Sequence, residues 1–158
     1  MKRTTLLAAA LLGLVVTLVG AAPAMAAAED DREVDALVAA VLDEVPGGVI
    51  IDGRHAVWPK LDMELTVPAA SGMTAWSVGS CATGRICAYN NTSLGGASLT
   101  FGTCAVHTIP SSFAVKSAAN ARSTGSVQVR NGSTVLKTVT AGSWSNVSGT
   151  VTNLRCLL

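Results

Sequence analysis

Four cysteines constrain the fold more than any other feature of this 158-residue chain. Cys81, Cys87 and Cys104 lie within residues 80–104, and Cys156 lies near the C-terminus. An even number of cysteines in an exported protein indicates a disulfide framework. Cys81 and Cys87 are six positions apart in the chain, with a glycine between them, which favours a local bridge and leaves Cys104 with Cys156. Four cysteines allow three pairings, so the sequence alone leaves the other two open.

The N-terminus has the pattern of a secretory signal peptide. Met1-Lys2-Arg3 is positively charged, residues 6–19 are almost entirely apolar, and Ala24-Met25-Ala26 is a cleavage sequence. A membrane anchor is the alternative, but the apolar run is short for a span and ends in the cleavage sequence. We therefore predict a signal peptide at residues 1–26 and a secreted, extracellular protein with no membrane attachment after cleavage.

Charge is distributed unevenly along the chain. Residues 27–64 carry all ten acidic side chains and three basic ones, a net charge of −7. Residues 65–158 contain no Asp or Glu and carry six bases: Arg85, Lys116, Arg122, Arg130, Lys137 and Arg155. The basic part is expected to attract anionic partners, or simply to be kept soluble by these charges.

The acidic segment, residues 27–71, is predicted to form a helix and a β-hairpin. Apolar residues at helical spacing indicate an amphipathic helix over residues 27–45, and Pro46-Gly47-Gly48 ends it. A tight hairpin is indicated by Asp52-Gly53-Arg54, which lies between two short apolar runs, and it would place His55 at the surface. Alternating apolar residues over 61–67 indicate a further strand. The segment is interpreted either as a packed part of the fold or as a pro-segment, joined to the rest by a linker at residues 68–72.

Residues 72–158 are rich in Ser, Thr, Gly, Asn and Val and show no helical periodicity. Asn131-Gly132 is a strong hairpin signal. The predicted strands are residues 86–89, 98–101, 126–130, 134–139 and 149–154. Several short strands separated by turns predict an all-β sandwich or barrel.

One motif in this part resembles a known family. Residues 80–89 read S-C-A-T-G-R-I-C-A-Y, and the pair Gly95-Gly96 follows Tyr89 in the next turn. This arrangement resembles the opening Greek key of a βγ-crystallin domain, and in particular the secreted bacterial family of βγ-crystallin-like peptidase inhibitors. The resemblance implies a Greek-key sandwich over residues 72–158, in which Tyr89 packs over a folded hairpin and Gly96 adopts a backbone conformation that is costly for other residues.

The chain departs from that family in two respects. The metalloproteinase inhibitors of the family carry their reactive bond in a loop closed by a second short disulfide, whereas Cys104 and Cys156 are far apart in the chain. Many crystallin domains bind calcium through Asp or Asn pairs followed by Ser, whereas residues 113–118 contain no carboxylate. The resemblance therefore implies peptidase inhibition without identifying a reactive bond, and we predict no metal ion and no cofactor.

Catalysis is not expected from these residues. Residues 65–158 cannot supply a carboxylate pair, and a triad through His107 would need an acid from the N-terminal segment. No phosphate-binding loop, G-x-S-x-G elbow or zinc-binding helix motif occurs. We therefore predict no catalytic residues and a non-enzymatic function.

Two functions follow. The first is inhibition of an extracellular metallo- or serine protease through an exposed loop. The preferred contact loop is residues 106–112, with His107, Thr108, Ile109 and Pro110. Residues 90–95 and 131–134 are further candidates for the contact loop. An ordinary connection between strands is the alternative interpretation of residues 106–112. The second function is a structural or binding module for anionic cell-wall polymers. Nucleic acid is a poor partner, because no aromatic residues alternate with the bases.

Overall fold

The computed structural model describes residues 33–69 and 78–158. The predictions for the signal peptide, for residues 27–32 of the helix and for residues 70–72 of the linker lie outside these ranges. The described residues form two antiparallel sheets and one short α-helix, which confirms the predicted all-β class.

The acidic segment folds as one helix followed by three strands. These elements are α1 (Ala36–Glu44), β1 (Val49–Asp52), β2 (His55–Trp58) and β3 (Met63–Thr66), with a 3₁₀ turn at Pro59–Leu61 between β2 and β3. The Asp35 carboxylate caps α1 by accepting a 2.8 Å hydrogen bond from the Leu37 amide, which satisfies one of the unpaired donors of the first turn. The predicted hairpin is confirmed, because β1 and β2 pair antiparallel across the Asp52-Gly53-Arg54 turn.

Eight further strands follow. They are β4 (Ile86–Tyr89), β5 (Ser98–Phe101), β6 (Val106–Thr108), β7 (Ser117–Asn120), β8 (Ser126–Asn131), β9 (Thr134–Thr140), β10 (Ser143–Asn146) and β11 (Asn153–Leu157). The predictions of β4, β5, β8 and β9 are confirmed to within one residue at each end. The strand predicted over 149–154 is displaced: Gly149 has a φ of +93°, which no extended strand allows, so β11 begins later. Strands β6, β7 and β10 were not predicted.

The strands form a seven-stranded and a four-stranded sheet. The order in the larger sheet is β1-β2-β3-β5-β4-β7-β10, and in the smaller one β6-β11-β8-β9. Strand β3 pairs with β5, so that Met63 lies opposite Phe101 and Leu65 opposite Leu99. The acidic segment therefore contributes three strands to the same sheet as the later part of the chain.

The main core cluster draws on the helix and on both sheets. Val41 of α1, Trp58 of β2, Phe101 of β5 and Leu154 of β11 are all buried in it. The Trp58 indole Nε1 donates a 2.8 Å hydrogen bond to the carbonyl of Val45, which fixes the end of α1 against β2. Burial of these apolar side chains supplies the main stabilisation of the arrangement.

Two disulfides complete the fold, and both have the predicted pairing. Cys81 is bonded to Cys87 and Cys104 to Cys156, with Cα–Cα distances of 5.7 and 4.9 Å. The first bridge joins the loop before β4, at Cys81, to Cys87 within β4. The second joins the residues before β6 to β11, so it ties the C-terminal strand to the edge of the smaller sheet.

Candidate functional site

The predicted contact loop is in large part an edge strand. Val106–Thr108 form β6, which pairs with β11 on one side and, among the described residues, with no strand on the other. His107, Ile109 and Pro110 are buried, whereas Thr108 is exposed. The expectation that all four side chains project into solvent from a loop is therefore wrong for three of them: the alternation of the strand turns His107 into the core, and Ile109 and Pro110, which follow the strand, are buried as well.

The hydrogen bonds of this strand define which backbone groups remain available. The Cys156 amide donates to the carbonyl of Ala105, and the Ile109 amide donates to the carbonyl of Thr152, both at 2.9 Å. In an antiparallel ladder the residues that bond across one edge alternate with residues whose N–H and C=O point to the opposite edge. Val106 and Thr108 therefore direct their backbone donors and acceptors to the unpaired edge.

His107 holds the strand from the inside. Its ring stacks on Phe101 with centroids 4.4 Å apart, and its Nε2 lies 2.8 Å from the carbonyl oxygen of Thr103, to which it donates when it carries the proton. Ser112 reaches the Glu44 carboxylate directly at 2.9 Å, so His107 does not bridge the serine and the acid as it would in a triad. His107 is a structural residue in this arrangement.

A carboxylate from α1 fixes the segment that follows β6. Glu44 accepts hydrogen bonds from the backbone amides of Ser111 and Ser112 at 2.5 and 3.0 Å, and from the Ser112 hydroxyl. The two backbone hydrogen bonds lower the pKa of Glu44, because they stabilise its charged form. Together with the Cys104–Cys156 bridge before the strand, this clamp holds β6 at both ends.

A groove of about 450 Å³ runs beside the unpaired edge of β6. Its lining includes Val106 and Thr108 of β6, Lys60 and Leu61 of the 3₁₀ turn, and Met63 and Phe101. Val106 is 61% exposed and Leu61 47%, although both are large apolar side chains. The groove therefore combines apolar surface with an unpaired strand edge, within the size range of small-ligand sites.

A second and larger cavity, of about 760 Å³, opens near the β1–β2 turn. Several of the polar groups that line it have partners: Asp35 caps α1, Asp52 accepts from the Arg54 amide at 2.8 Å, and the His55 Nε2 lies 2.8 Å from Glu64. Within residues 33–69 and 78–158 no three His, Cys, Asp or Glu side chains are grouped to hold a metal ion.

The motif that resembles a crystallin Greek key forms a compact hairpin over Tyr89. Tyr89 is buried, its hydroxyl accepts a 3.2 Å hydrogen bond from Ser80, and burial raises the pKa of the phenol despite that bond. Gly96 has a φ of +74°, and a Cβ there would collide with the side-chain oxygen of Asn90, which accepts from Ala97 at 2.7 Å. The expected special conformation thus occurs at Gly96, and Gly95 does not have a positive φ.

Strain is concentrated in the same hairpin. Ser93 and Leu94 have φ values of 55° and 61°, which are uncommon for residues with a side chain. The Ser93 amide donates to Asn146 at 2.8 Å and the Leu94 amide to Ser117 at 3.0 Å. Leu94 packs on the cluster that contains Tyr89 and the Cys81–Cys87 bridge, so contacts with the rest of the fold maintain the strained turn.

The basic residues of the later part are not gathered at one point. Arg85 pairs with Asp62 at 3.0 Å, and Arg122 donates to the carbonyls of Gly84 and Gly102. Arg130 and Arg155 share the outward face of the smaller sheet, since Val129 and Leu154 beside them point into the core. This face carries two of the six bases, beside the exposed side chains of Val106 and Val135.

Sequence reasoning missed the Glu44 clamp and the groove. Glu44 and Ser111 are 67 positions apart in the chain, and no local pattern links them. The β-branched residues Val106 and Thr108 were a weak signal for a strand, but three residues are too few for an alternation to be recognised.

These features define the chain as a disulfide-bonded, two-sheet antiparallel β protein with an open strand edge. Comparison of the chain with protein-family models, with curated proteins and with solved structures found no match. Among the described residues, no helix is both long and apolar enough to cross a membrane.

Proposed function

We propose that the chain is a secreted peptidase inhibitor that presents strand β6 to an extracellular metallo- or serine peptidase from a βγ-crystallin-like Greek-key scaffold. The proposal is supported by the resemblance over residues 80–96 to the bacterial crystallin-like inhibitors, and by the two disulfides, which fit an oxidising, extracellular environment.

The observation that carries the proposal is the fixation of an accessible edge strand at both ends. The Cys104–Cys156 bridge precedes β6, and the Glu44 clamp on Ser111 and Ser112 follows it. A strand that is already held in its extended form loses little conformational entropy when a partner binds it. Peptidases bind polypeptide chains in extended form, so such an edge is suited to occupy a substrate cleft without being rearranged.

A titration tests this function. The protein from Ala27 onward is added to a thermolysin-type metallopeptidase and, separately, to a subtilisin-type serine peptidase, and the residual activity is measured against the molar ratio. We expect the activity of one enzyme to fall linearly and to vanish near equimolar ratio. Full activity of both enzymes at tenfold excess of intact protein would exclude inhibition of these two peptidase classes. Protein whose disulfides have been reduced and alkylated is the control and should not inhibit.

The second function, binding of anionic cell-wall polymers, is favoured by one observation. Arg130 and Arg155 lie on a sheet face formed entirely from residues 106–158, which contain no acidic side chain. Binding through these charges would weaken strongly between 50 and 500 mM salt, whereas binding through the β6 edge would change little. Cosedimentation with teichoic acid at both salt concentrations separates the two functions, and an R130Q/R155Q variant is the control.

A further inference from the structure

The groove beside β6 includes residues of an unpaired strand edge, which suits an extended chain. It is lined by Val106 and Thr108, whose backbone groups point away from β11, and none of its described lining residues belongs to β11. The groove therefore lies along the edge that lacks a neighbouring strand. An unpaired strand edge of this kind offers a template on which a further strand can form.

The side-chain positions of an added strand follow from the alternation of the sheet. Residues of the added strand that bond to Val106 or Thr108 would point to the outward face, and the residues between them would point to the face of His107. That inner face leads to Phe101 and Met63, which are apolar. Alternate side chains of the occupant should therefore be apolar.

The charges of the groove restrict the occupant further. Both oxygens of the Glu44 carboxylate are engaged by Ser111 and Ser112. Lys60 also lines the groove, is exposed and has no carboxylate within 4.0 Å among the described residues. Glu44 keeps its negative charge, but its two oxygens are occupied by these donors, whereas the Lys60 ammonium has no ion pair among the described residues, which favours an acidic residue beside it in the bound segment.

We propose that the β6 groove binds an extended segment of a partner protein by strand addition, with apolar side chains at alternate positions and an acidic residue that meets Lys60. The identification of this partner as a peptidase rests on the proposed function, whereas the strand addition does not. Three residues of the segment, about 10 Å of extended chain, match the length of β6.

A blocked peptide, acetyl-Thr-Val-Asp-Val-Thr-amide, tests the groove directly. Its valines would point inward, and the amides of its Asp and its last Thr would face β6. We expect the peptide to shift the backbone amide resonances of Val106 and Thr108 in the intact disulfide-bonded protein. Methylation of the Asp and last Thr amide nitrogens should weaken binding about tenfold or more, since hydrogen bonds are lost, whereas methylation of the two Val nitrogens, which point away, should not.

Two protein variants provide the complementary test. T108P removes an outward N–H that β11 does not use, and T108V keeps it with a side chain of similar shape. We expect T108V to bind the peptide as the wild type does and T108P to lose binding. If T108P does not fold, the pair of methylated peptides decides the question by itself.

Inhibition measured with the same variants separates this proposal from the proposed function. Peptide binding without inhibition of any peptidase would support the groove and overturn the inhibitor function. Inhibition that T108P leaves unchanged, together with no peptide binding, would support the inhibitor and overturn strand addition. Absence of both would overturn both.

Discussion

Gly96 illustrates how a single residue determines the shape of the hairpin over Tyr89. Its φ of +74° lies in the left-handed region, and Asn90 and Asn91 occupy the space where a side chain would begin. Gly84 has a similar φ of +82°, but nothing lies within 4 Å of a Cβ placed there. An alanine at Gly84 would therefore meet only the cost of the left-handed backbone, whereas an alanine at Gly96 would also meet the steric collision.

We predict that Gly84→Ala lowers the free energy of unfolding by about 1 kcal/mol, the cost of left-handed backbone for alanine. Gly96→Ala should cost about 3 kcal/mol, because it also displaces the Asn90 side chain from its hydrogen bond with Ala97. Urea denaturation of both variants checks the difference. Equal losses would mean that the Asn90 contact does not constrain the turn.

Glu44 makes the stability of the fold depend on pH. Its pKa is lowered in the folded state, so its stabilising contribution is fully present above the ordinary glutamate pKa of about 4.3 and is lost as the pH falls through the lower value of the folded state. We expect Glu44→Gln to lower Tm at pH 7 and to lower it less at pH 3, where the carboxylate is closer to protonation. The effect should be small because the side chain is exposed.

The control for this prediction is the neighbouring residue. Asp43 is exposed on the same helix and has no hydrogen bond or ion pair among the described residues. Asp43→Asn should therefore leave the pH profile of Tm unchanged. A profile for Glu44→Gln parallel to that of the wild type would contradict the role of the clamp.

At the scale of elements, the strands that could be predicted are those whose sequence alternates. Strands β8 and β9 carry branched residues around Asn131-Gly132, and local chemistry alone indicates such a hairpin. Strand β7 reads Ser-Ala-Ala-Asn and is buried along its whole length. Small residues fit because Ala118 packs into the main core cluster on one face and Ala119 into the cluster around Tyr89 on the other, a tertiary condition that local propensity does not express.

The two disulfides should differ in their effect on stability. They close segments of 6 and 52 residues, and the entropy removed from the unfolded chain grows with the length of the closed loop. We predict losses of about 2 kcal/mol for the Cys81→Ser/Cys87→Ser variant and about 4 kcal/mol for Cys104→Ser/Cys156→Ser. Guanidinium unfolding of both variants tests the order, and a larger loss from the shorter loop would show that packing around Tyr89 outweighs loop entropy.

At the scale of the molecule, the acidic segment is part of the sheet and of the core. Strand β3 pairs with β5, and Val41 and Trp58 are buried in the same cluster as Phe101. The sequence indicated the elements of this segment but left open whether it packs on the rest. The answer depends on a pairing between residues more than 30 positions apart, which local patterns do not encode.

We predict that a chain beginning at residue 72 loses cooperative unfolding or melts at least about 10 °C lower, because β5 becomes an edge and apolar core is exposed. Circular dichroism melting measures this. The matched control is the full protein cut within residues 70–77, whose two pieces should remain associated and melt near the intact protein. A truncated chain as stable as the intact one would mean that the segment is dispensable, as a pro-segment would be.

Whether β6 is the strand presented to a peptidase is decided by amide hydrogen exchange of the protein, alone and in complex with the metallo- or serine peptidase that it inhibits. We expect exchange at Val106 and Thr108, whose N–H groups point to the unpaired edge, to slow at least tenfold on addition of the enzyme. Unchanged exchange at both residues, with protection appearing on another surface such as the face of Arg130 and Arg155, would contradict it.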